Sequence, residues 1–190
     1  MKRVNQAQID EAIANFQYEG MLVDQRPYGS GHINDTYLLT FEIAEMGKLR
    51  VILQRMNNEI FTNPVELMEN IISVTSYLRK KIIENGGDPD RETLNVIRAV
   101  DGKPYFVDYK GDYWRSYKFI TDATSYDKVE KPDDFYQSAV SFGHFQRLLA
   151  DYPADTLHET IKGFHDTKAR FQVFKEAVKK DVCSRAASVK

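Results

Sequence analysis

The residues best suited to chemistry form a glycine-bearing turn, Gly29 to Thr36, with the sequence Gly-Ser-Gly-His-Ile-Asn-Asp-Thr. Segments of strand character flank it: an extended run from Met21 to Tyr28 precedes it, and Thr36 to Phe41 follow. Because glycine has no Cβ, the backbone there can approach a ligand, and its free N–H groups can hold phosphate oxygens. A tight β-hairpin with no ligand has the same composition, so the turn alone predicts either structure.

Other chemistries find little support in the residue types. Cys183 is the only cysteine, so neither an internal disulfide nor a cysteine metal cluster is expected. Its surroundings lack the Pro and Arg of a C-x-P-x-R sulfatase motif, and we place it in a helix. The histidines stand singly along the chain, which argues against a zinc site. They are His32, His144, His158 and His165.

The composition is that of a folded, soluble chain. Of its 190 residues, 42% are hydrophobic and 28% are charged, which suits one large domain or two small lobes. The net charge of −2 gives no reason to expect a nucleic-acid or membrane-surface partner. The sequence contains no apolar run of membrane-spanning length and no signal-peptide core. We therefore expect a cytoplasmic protein.

Periodicity and capping predict the elements that would position the turn. Apolar residues between Ile9 and Phe16 have helical spacing, and Gly20 would end this N-terminal helix, within residues 1–20. A third strand, Leu49 to Arg55, would complete three neighbouring antiparallel strands.

A long helix should begin at Asn63, with Pro64 at its first position and Glu66 beside the positive end of its dipole. It should run toward Gly86. Its apolar stripe would comprise Leu67, Ile71, Val74 and Leu78.

The next segments have strand character again. Leu94 to Val100 and Tyr105 to Tyr109 flank an Asp101-Gly102 turn, which predicts a β-hairpin. A further strand should run from Tyr113 to Ile120. Beyond it we predict no strand.

The rest of the chain should be helical. Residues 121–130 form a polar linker, and a helix should start at Lys131 and close near Tyr152. Leu157 to Ile161 would be a short helical or turn segment. A final helix should run from Phe164 to the last residue, because its pattern shows no stop signal.

Several strings together resemble the aminoglycoside-phosphotransferase and choline-kinase-like family, and within it most of all the N-acetylhexosamine 1-kinases. Gly29 to Tyr37 and Ile52 to Asn57 are specific in combination. Shorter matches are Ser116 to Ile120, Thr124 to Asp127, Phe142 to Phe145, and Leu157 to Ile161. The resemblance covers roughly residues 20 to 190.

The resemblance implies an α+β, protein-kinase-like fold. A five-stranded antiparallel N-lobe with one helix would span residues 21–120 and bind the nucleotide. Residues 121–130 would be the hinge or linker. Residues 131–190 would hold the first helices of a truncated helical C-lobe.

The resemblance also implies cofactor-binding roles for the turn, which would be a flap over the phosphates of ATP. The flap residues would be Gly29, Ser30, Gly31, His32, Asn34 and Thr36. Asn34 occupies the third glycine position of G-x-G-x-x-G, and asparagine also tolerates positive φ.

Arg55 matches the third-strand cation that steadies the α- and β-phosphates. Gln54 is the alternative, since a shift of one residue changes the face of a strand. In this fold a carboxylate on the following helix anchors the cation, and Glu66 and Glu69 are both candidates. A surface ion pair for Arg55 and a capping role for Glu66 are the competing interpretations.

Tyr117, Phe119 and Ile120 match the hinge that binds adenine through backbone groups and apolar side chains. For Phe119 and Ile120, ordinary core positions at a strand end explain the residue types equally well.

The catalytic elements of the family are missing from these residues. Phosphoryl transfer there needs an H-x-D-x-x-x-x-N loop and a downstream Asp for Mg²⁺. The nearest similar pair, His165-Asp166, has no Asn at the required spacing, and we place it on the polar face of the last helix. No catalytic or metal-binding residue is therefore predicted within this chain.

These expectations combine into one interpretation. The chain would be the N-terminal portion of an ATP- and Mg²⁺-dependent kinase, most of all one that phosphorylates the anomeric hydroxyl of an N-acetylhexosamine, and would be inactive alone. The alternatives are a kinase for another small alcohol or aminoglycoside-type acceptor, or a non-catalytic nucleotide-binding fragment. Exposed apolar faces around Phe164, Phe171 and Phe174 would favour self-association.

Overall fold

A computed structural model describes residues 4–124, 126 and 128–189 of the chain. Ser125 and Asp127 of the Thr124–Asp127 motif, and the first three residues of the predicted N-terminal segment, lie outside the described residues. The chain divides into two compact units, residues 1–158 and residues 159–190. The linker predicted at 121–130 falls inside the first unit, and its role as a lobe boundary stays a prediction.

The fold is α+β, with six β-strands in one antiparallel sheet within the described part of the chain. The strands are β1 (Met21–Pro27), β2 (Asp35–Ile43), β3 (Gly47–Arg55), β4 (Val96–Ile97), β5 (Phe106–Val107) and β6 (Tyr113–Lys118). The α-helices are α1 (Gln6–Ala14), α2 (Pro64–Glu84), α3 (Pro89–Glu92), α4 (Pro132–Leu148) and α5 (Thr167–Lys180). Among the described residues, no helix combines the length and apolar character needed to cross a bilayer.

The sheet has the order β1-β2-β3-β6-β4, with β5 also paired to β6. The predicted three antiparallel strands around the glycine turn are confirmed. The sheet has the six strands that the sequence pattern predicted and not the five that the family resemblance implied. β4 and β5 share one edge of β6. β3 occupies the other edge, from Arg55 opposite Trp114 to Val51 opposite Lys118.

The hairpin predicted between Leu94 and Tyr109 is wrong in its pairing. Ile97 pairs with Ser116 and Phe106 pairs with Trp114, so both arms bind β6 and not each other. The segment between them leaves the sheet and turns at Gly102, which has φ +84°. In that segment Ala99 forms a β-bridge with Phe16, which lies just after α1.

Helix α1 is confirmed but ends earlier than predicted. Asn5 caps its first turn in a reciprocal capping box with Gln8. The helix closes at Asn15 and not at Gly20, because Phe16 is already in the extended bridge to Ala99. Gly20 has φ +88° and lies immediately before β1.

Because side chains alternate along a strand, the sheet has two distinct faces. The face toward α1, called the α1 face below, carries the main core, in which Trp114 is fully buried. The core is made of Ile9, Ala12, Phe16, Leu39, Phe41, Val51, Leu53, Ala99 and Trp114. The opposite face, called the distal face below, carries Thr36, Gln54 and Arg115 in one row across three strands.

Helix α2 begins as predicted. Asn63 Oδ1 accepts the backbone N–H of Glu66, Pro64 is at the first position, and Asn85 caps the end just before Gly86. The buried stripe is shifted from the predicted one, since only Leu78 of that set is fully buried. The buried residues are Pro64, Met68, Leu78 and Ile82.

Helix α4 and the segment after it agree with the predicted helical second half, and no strand follows β6 in the described residues. The short helical turn lies at Ala154–Thr156, not at the predicted 157–161. This segment contacts α2 through Tyr152, whose hydroxyl lies 2.7 Å from Ser73 Oγ and whose ring meets that of Tyr77 edge-on.

The second unit corrects the predicted final helix at both ends. Asp166 is the N-cap of α5 and accepts the Ala169 N–H at 2.8 Å, so His165 and Phe164 precede the helix. The helix stops at Asp181, which adopts φ +38°, and Cys183 therefore lies beyond it. The expected apolar exposure is present: Phe164, Phe171 and Phe174 are 48%, 56% and 60% exposed.

Candidate functional site

The glycine turn joins β1 to β2 and is closed by a hydrogen bond from the Tyr28 N–H to the Thr36 carbonyl at 2.9 Å. Gly29 has φ +85°, a conformation that favours glycine, and the space where a Cβ would stand is open. Within the described residues, the backbone N–H groups of Gly29, Gly31 and His32 find no acceptor. The exposed turn can therefore offer these donors to an anion.

Asn34 behaves differently from the expectation. The φ angle of Asn34 is not positive. A hydrogen bond made by its side chain, and not an unusual backbone conformation, therefore accounts for asparagine at this position. The Oδ1 atom accepts the N–H of Asn57 at 3.0 Å. This hydrogen bond ties the turn to the segment that follows β3.

Arg55 lies on the α1 face and is 2% exposed. Its Nε and Nη2 atoms donate to Asp35 Oδ2 at 2.9 and 2.6 Å, and Nη1 donates to Asp112 Oδ2 at 2.7 Å. Burial lowers the pKa of Arg55, but the hydrogen bonds and charges of the two carboxylates outweigh it and the pKa is raised. Asp35 and Asp112 are thus anchoring carboxylates that the sequence did not single out.

The Arg55 cluster continues into a buried polar network at the turn before β6. Gln8 Nε2 donates to Asp112 Oδ2 at 3.0 Å and to Asp108 Oδ2 at 2.7 Å. Asp108 also accepts the indole N–H of Trp114 at 2.9 Å. Burial raises the pKa of Asp108, but these donors and two backbone N–H groups together lower it. The network joins α1 to the sheet.

Gln54 lies on the distal face and connects two neighbours in the row. Its Nε2 donates to Thr36 Oγ1 at 2.9 Å. Its Oε1 accepts from Arg115 Nε at 3.0 Å and from Arg115 Nη2 at 2.9 Å. Adjacent residues Gln54 and Arg55 therefore point to opposite faces, and each is linked to the end of the glycine turn, Gln54 through Thr36 and Arg55 through Asp35.

Arg115 is a half-buried cation with few protein partners. A guanidinium has five N–H donors, and Gln54 receives two of them. In the described part of the chain, no carboxylate lies within ion-pair distance of Arg115, and the remaining three donors have no acceptor. Burial lowers the pKa of Arg115, while the nearby Tyr117 opposes that effect.

The predicted hinge residues lie at and beyond the end of β6. Tyr117 pairs with Ile52, and burial raises the pKa of its hydroxyl. The Phe119 N–H donates to the Arg50 carbonyl at 3.0 Å, and the Arg50 guanidinium lies 5.0 Å above the Phe119 ring. Tyr28, at the start of the glycine turn, meets Phe119 edge-on at 5.5 Å. Ile120 follows, half-buried.

The structure thus brings the residue before the glycine turn, Tyr28, into contact with Phe119 of the predicted hinge segment. Glu66 lies in the first turn of α2, where its N–H bonds Asn63. Glu69 Oε2 lies 2.8 Å from His158 Nε2. The cofactor roles predicted for these residues stay predictions.

A cavity of about 390 Å³ borders the turn, and Gly29, Gly31 and Thr36 are among its lining residues. Arg115 is not among the residues that line this cavity. The unpartnered N–H groups of the turn and the free donors of Arg115 are both groups that can bind phosphate oxygens. Among the described residues, no group of three or more His, Cys, Asp or Glu could hold a metal. A magnesium ligand set is therefore not assembled from the described residues.

Comparison with protein-family models finds none that matches the chain. Sequence reasoning missed Arg115, Tyr28 and Arg50. Arg115 had a signal: it is a charged residue inside a strand, flanked by residues that bury their side chains, Trp114 and Ser116.

Proposed function

We propose that the chain forms the nucleotide-binding part of an ATP-dependent small-molecule kinase. The glycine turn would hold the phosphates, and the segment around Phe119 would receive the adenine. The acceptor we propose is the anomeric hydroxyl of an N-acetylhexosamine, on the basis of the sequence resemblance. A different small alcohol or an aminoglycoside is the alternative within the same chemistry.

One observation carries the proposal. The hydrogen-bond chain from Thr36 through Gln54 to Arg115 links a half-buried cation to a turn with unpartnered N–H donors. Transfer of a phosphoryl group depends chiefly on positioning and on donors directed at the negative oxygens. The antiparallel sheet with a long helix after its third strand is compatible with the proposed protein-kinase-like N-lobe.

Residues of the chain would bind and orient the nucleotide, and no proton transfer is assigned to them. The turn N–H groups would hold phosphate oxygens, while Tyr28 and Phe119 would limit the space for the base. The Phe119 ring, with Tyr28 edge-on against it, would exclude water from one side of the base.

The test is ligand-induced thermal stabilisation of the full chain by ATP with Mg²⁺, compared with AMP. At tenfold excess over Kd, ATP should add about 1.4 kcal/mol of stability, which corresponds to about 3–6 °C in Tm for a chain of this size. AMP should give a smaller shift because it lacks the β- and γ-phosphates. No shift at millimolar ATP would contradict the proposal.

A pair of glycine variants supplies the matched control. Gly29 and Gly102 have φ +85° and +84°, and both have open space at the Cβ position. Gly29→Ala and Gly102→Ala should therefore have similar stability. Only Gly29→Ala should weaken ATP binding, by about tenfold if one charge-assisted hydrogen bond is lost. Equal ATP affinity in both variants would show that the glycine turn does not contact the nucleotide.

A further inference from the structure

We infer that Arg115, oriented by Gln54 on the distal face, is the cation that binds the polyphosphate of the nucleotide. Arg55 is instead a structural cation of the α1 face. The inference rests on the proposed function and specifies which residues of that site contact the charged end of the ligand.

The contacts of Arg55 argue for the structural role. Both edges of its guanidinium donate to carboxylates, Asp35 through Nε and Nη2 and Asp112 through Nη1. A phosphate would have to compete with two anions that are already in place. Leu53, two residues earlier on the same face, belongs to the core against α1. The side chain of Arg55 therefore lies on the side of the sheet that packs against α1.

The contacts of Arg115 leave it available. A single neutral atom, Gln54 Oε1, accepts both Nε–H and one Nη2–H, which fixes the plane of the guanidinium along that edge. The Nη1 end keeps its N–H groups, and paired guanidinium donors match the two oxygens of a phosphate. A half-buried cation without a carboxylate partner in the described residues is costly unless an anion binds it.

The row also couples Arg115 to the glycine turn. Gln54 Nε2 donates to the hydroxyl of Thr36, and the carbonyl of Thr36 accepts the Tyr28 N–H that closes the turn. A polyphosphate held by the turn N–H groups and by Arg115 would therefore be bound at one end of the sheet. Two kinds of donor, backbone amides and a guanidinium, would share its charge.

The decisive variant is Gln54→Glu, which has nearly the same shape. It should place a carboxylate against Arg115 and give it the kind of partner that Arg55 already has. The fold should be retained, since the new ion pair replaces an existing hydrogen bond. Binding of ATP and of inorganic tripolyphosphate should each weaken by about 10- to 100-fold, as when a charge-assisted contact is lost.

Arg115→Met and Arg115→Lys complete the series. Arg115→Met should weaken tripolyphosphate binding as strongly as Gln54→Glu, and Arg115→Lys should weaken it about fivefold because the planar fork is lost. AMP binding should change by less than about threefold in all variants. Arg98→Met is the control, because Arg98 is exposed, donates to the Gly102 carbonyl and has no contact with Gln54 among the described residues.

Calorimetric titration distinguishes the possible failures. If the unmodified chain binds neither ATP nor tripolyphosphate, the proposed function itself fails. If it binds both, but Gln54→Glu and Arg115→Lys bind them with unchanged affinity, the assignment of Arg115 is overturned while the nucleotide site stands. Weakened tripolyphosphate binding in these two folded variants, with normal binding in Arg98→Met, supports the inference.

Discussion

Replacement of Arg55 by methionine is the sharpest test of its structural role. The side chain keeps a similar apolar length, but both carboxylate contacts on the α1 face are lost. We expect the protein to be clearly less stable and, where it is folded, to bind ATP with unchanged affinity. A phosphate-binding Arg55 would show the reverse pattern.

The magnitude follows from the exposure of the partners. Removing one member of a fully buried ion pair costs about 3–5 kcal/mol. The side chains of Asp35 and Asp112 are 36% and 28% exposed, so water can recover part of their solvation. The burial cost of the guanidinium itself also disappears. We therefore expect a loss of about 2–4 kcal/mol in the free energy of unfolding.

Urea unfolding measures this loss. With a slope of about 2 kcal/mol per molar urea, the midpoint should fall by about 1–2 M. The urea midpoint of Arg55→Lys should lie between those of Arg55→Met and the unmodified chain. The lysine ammonium keeps the charge but cannot bind both carboxylates as the planar guanidinium does. Arg50→Met, at an exposed cation on the same strand, should change stability by less than about 1 kcal/mol. An unchanged midpoint for Arg55→Met would refute the structural role.

Two further predictions concern stability. Asp108 has a lowered pKa in the fold, so its contribution is present above its unfolded pKa of about 3.9 and is lost as the pH falls through the lower folded value. Urea midpoints of Asp108→Asn and the unmodified chain should therefore differ more at pH 6 than at pH 3, and an equal difference at both would contradict this. Gly20→Ala should cost about 1–3 kcal/mol, because its Cβ would meet the Glu42 carbonyl. Gly47→Ala, with φ +85° and open space, should cost less, and equal losses would rule out the contact.

Local signals were sufficient for the first half of the fold. The alternation in β1 to β3 and the Asn63-Pro64 start of α2 depend on neighbouring residues, and the structure has these elements where they were predicted. The pairing of β4 and β5 was not predictable in this way. It depends on the bridge between Ala99 and Phe16, which are distant in sequence.

The site was less predictable for a related reason. Gln54 and Arg55 are adjacent, so sequence alone could not say which one lies on the face of the sheet where we propose that the polyphosphate binds. The face of each was settled by partners on other strands, Thr36 for Gln54 and Asp35 for Arg55. Arg115 was overlooked because its importance comes from the absence of a partner carboxylate in the described residues, which no motif records.

The packing of α1 against the α1 face of the sheet has a consequence for folding during synthesis. Tyr18, just after α1, donates to Ser116, which is 98 residues further along the chain. At about 5–20 residues per second, synthesis leaves the N-terminal segment without that partner for about 5–20 s. The β2–β3 hairpin can form within that time, but the core on its α1 face stays incomplete until Trp114 of β6 is synthesised. This interval is when the nascent chain most needs protection from aggregation.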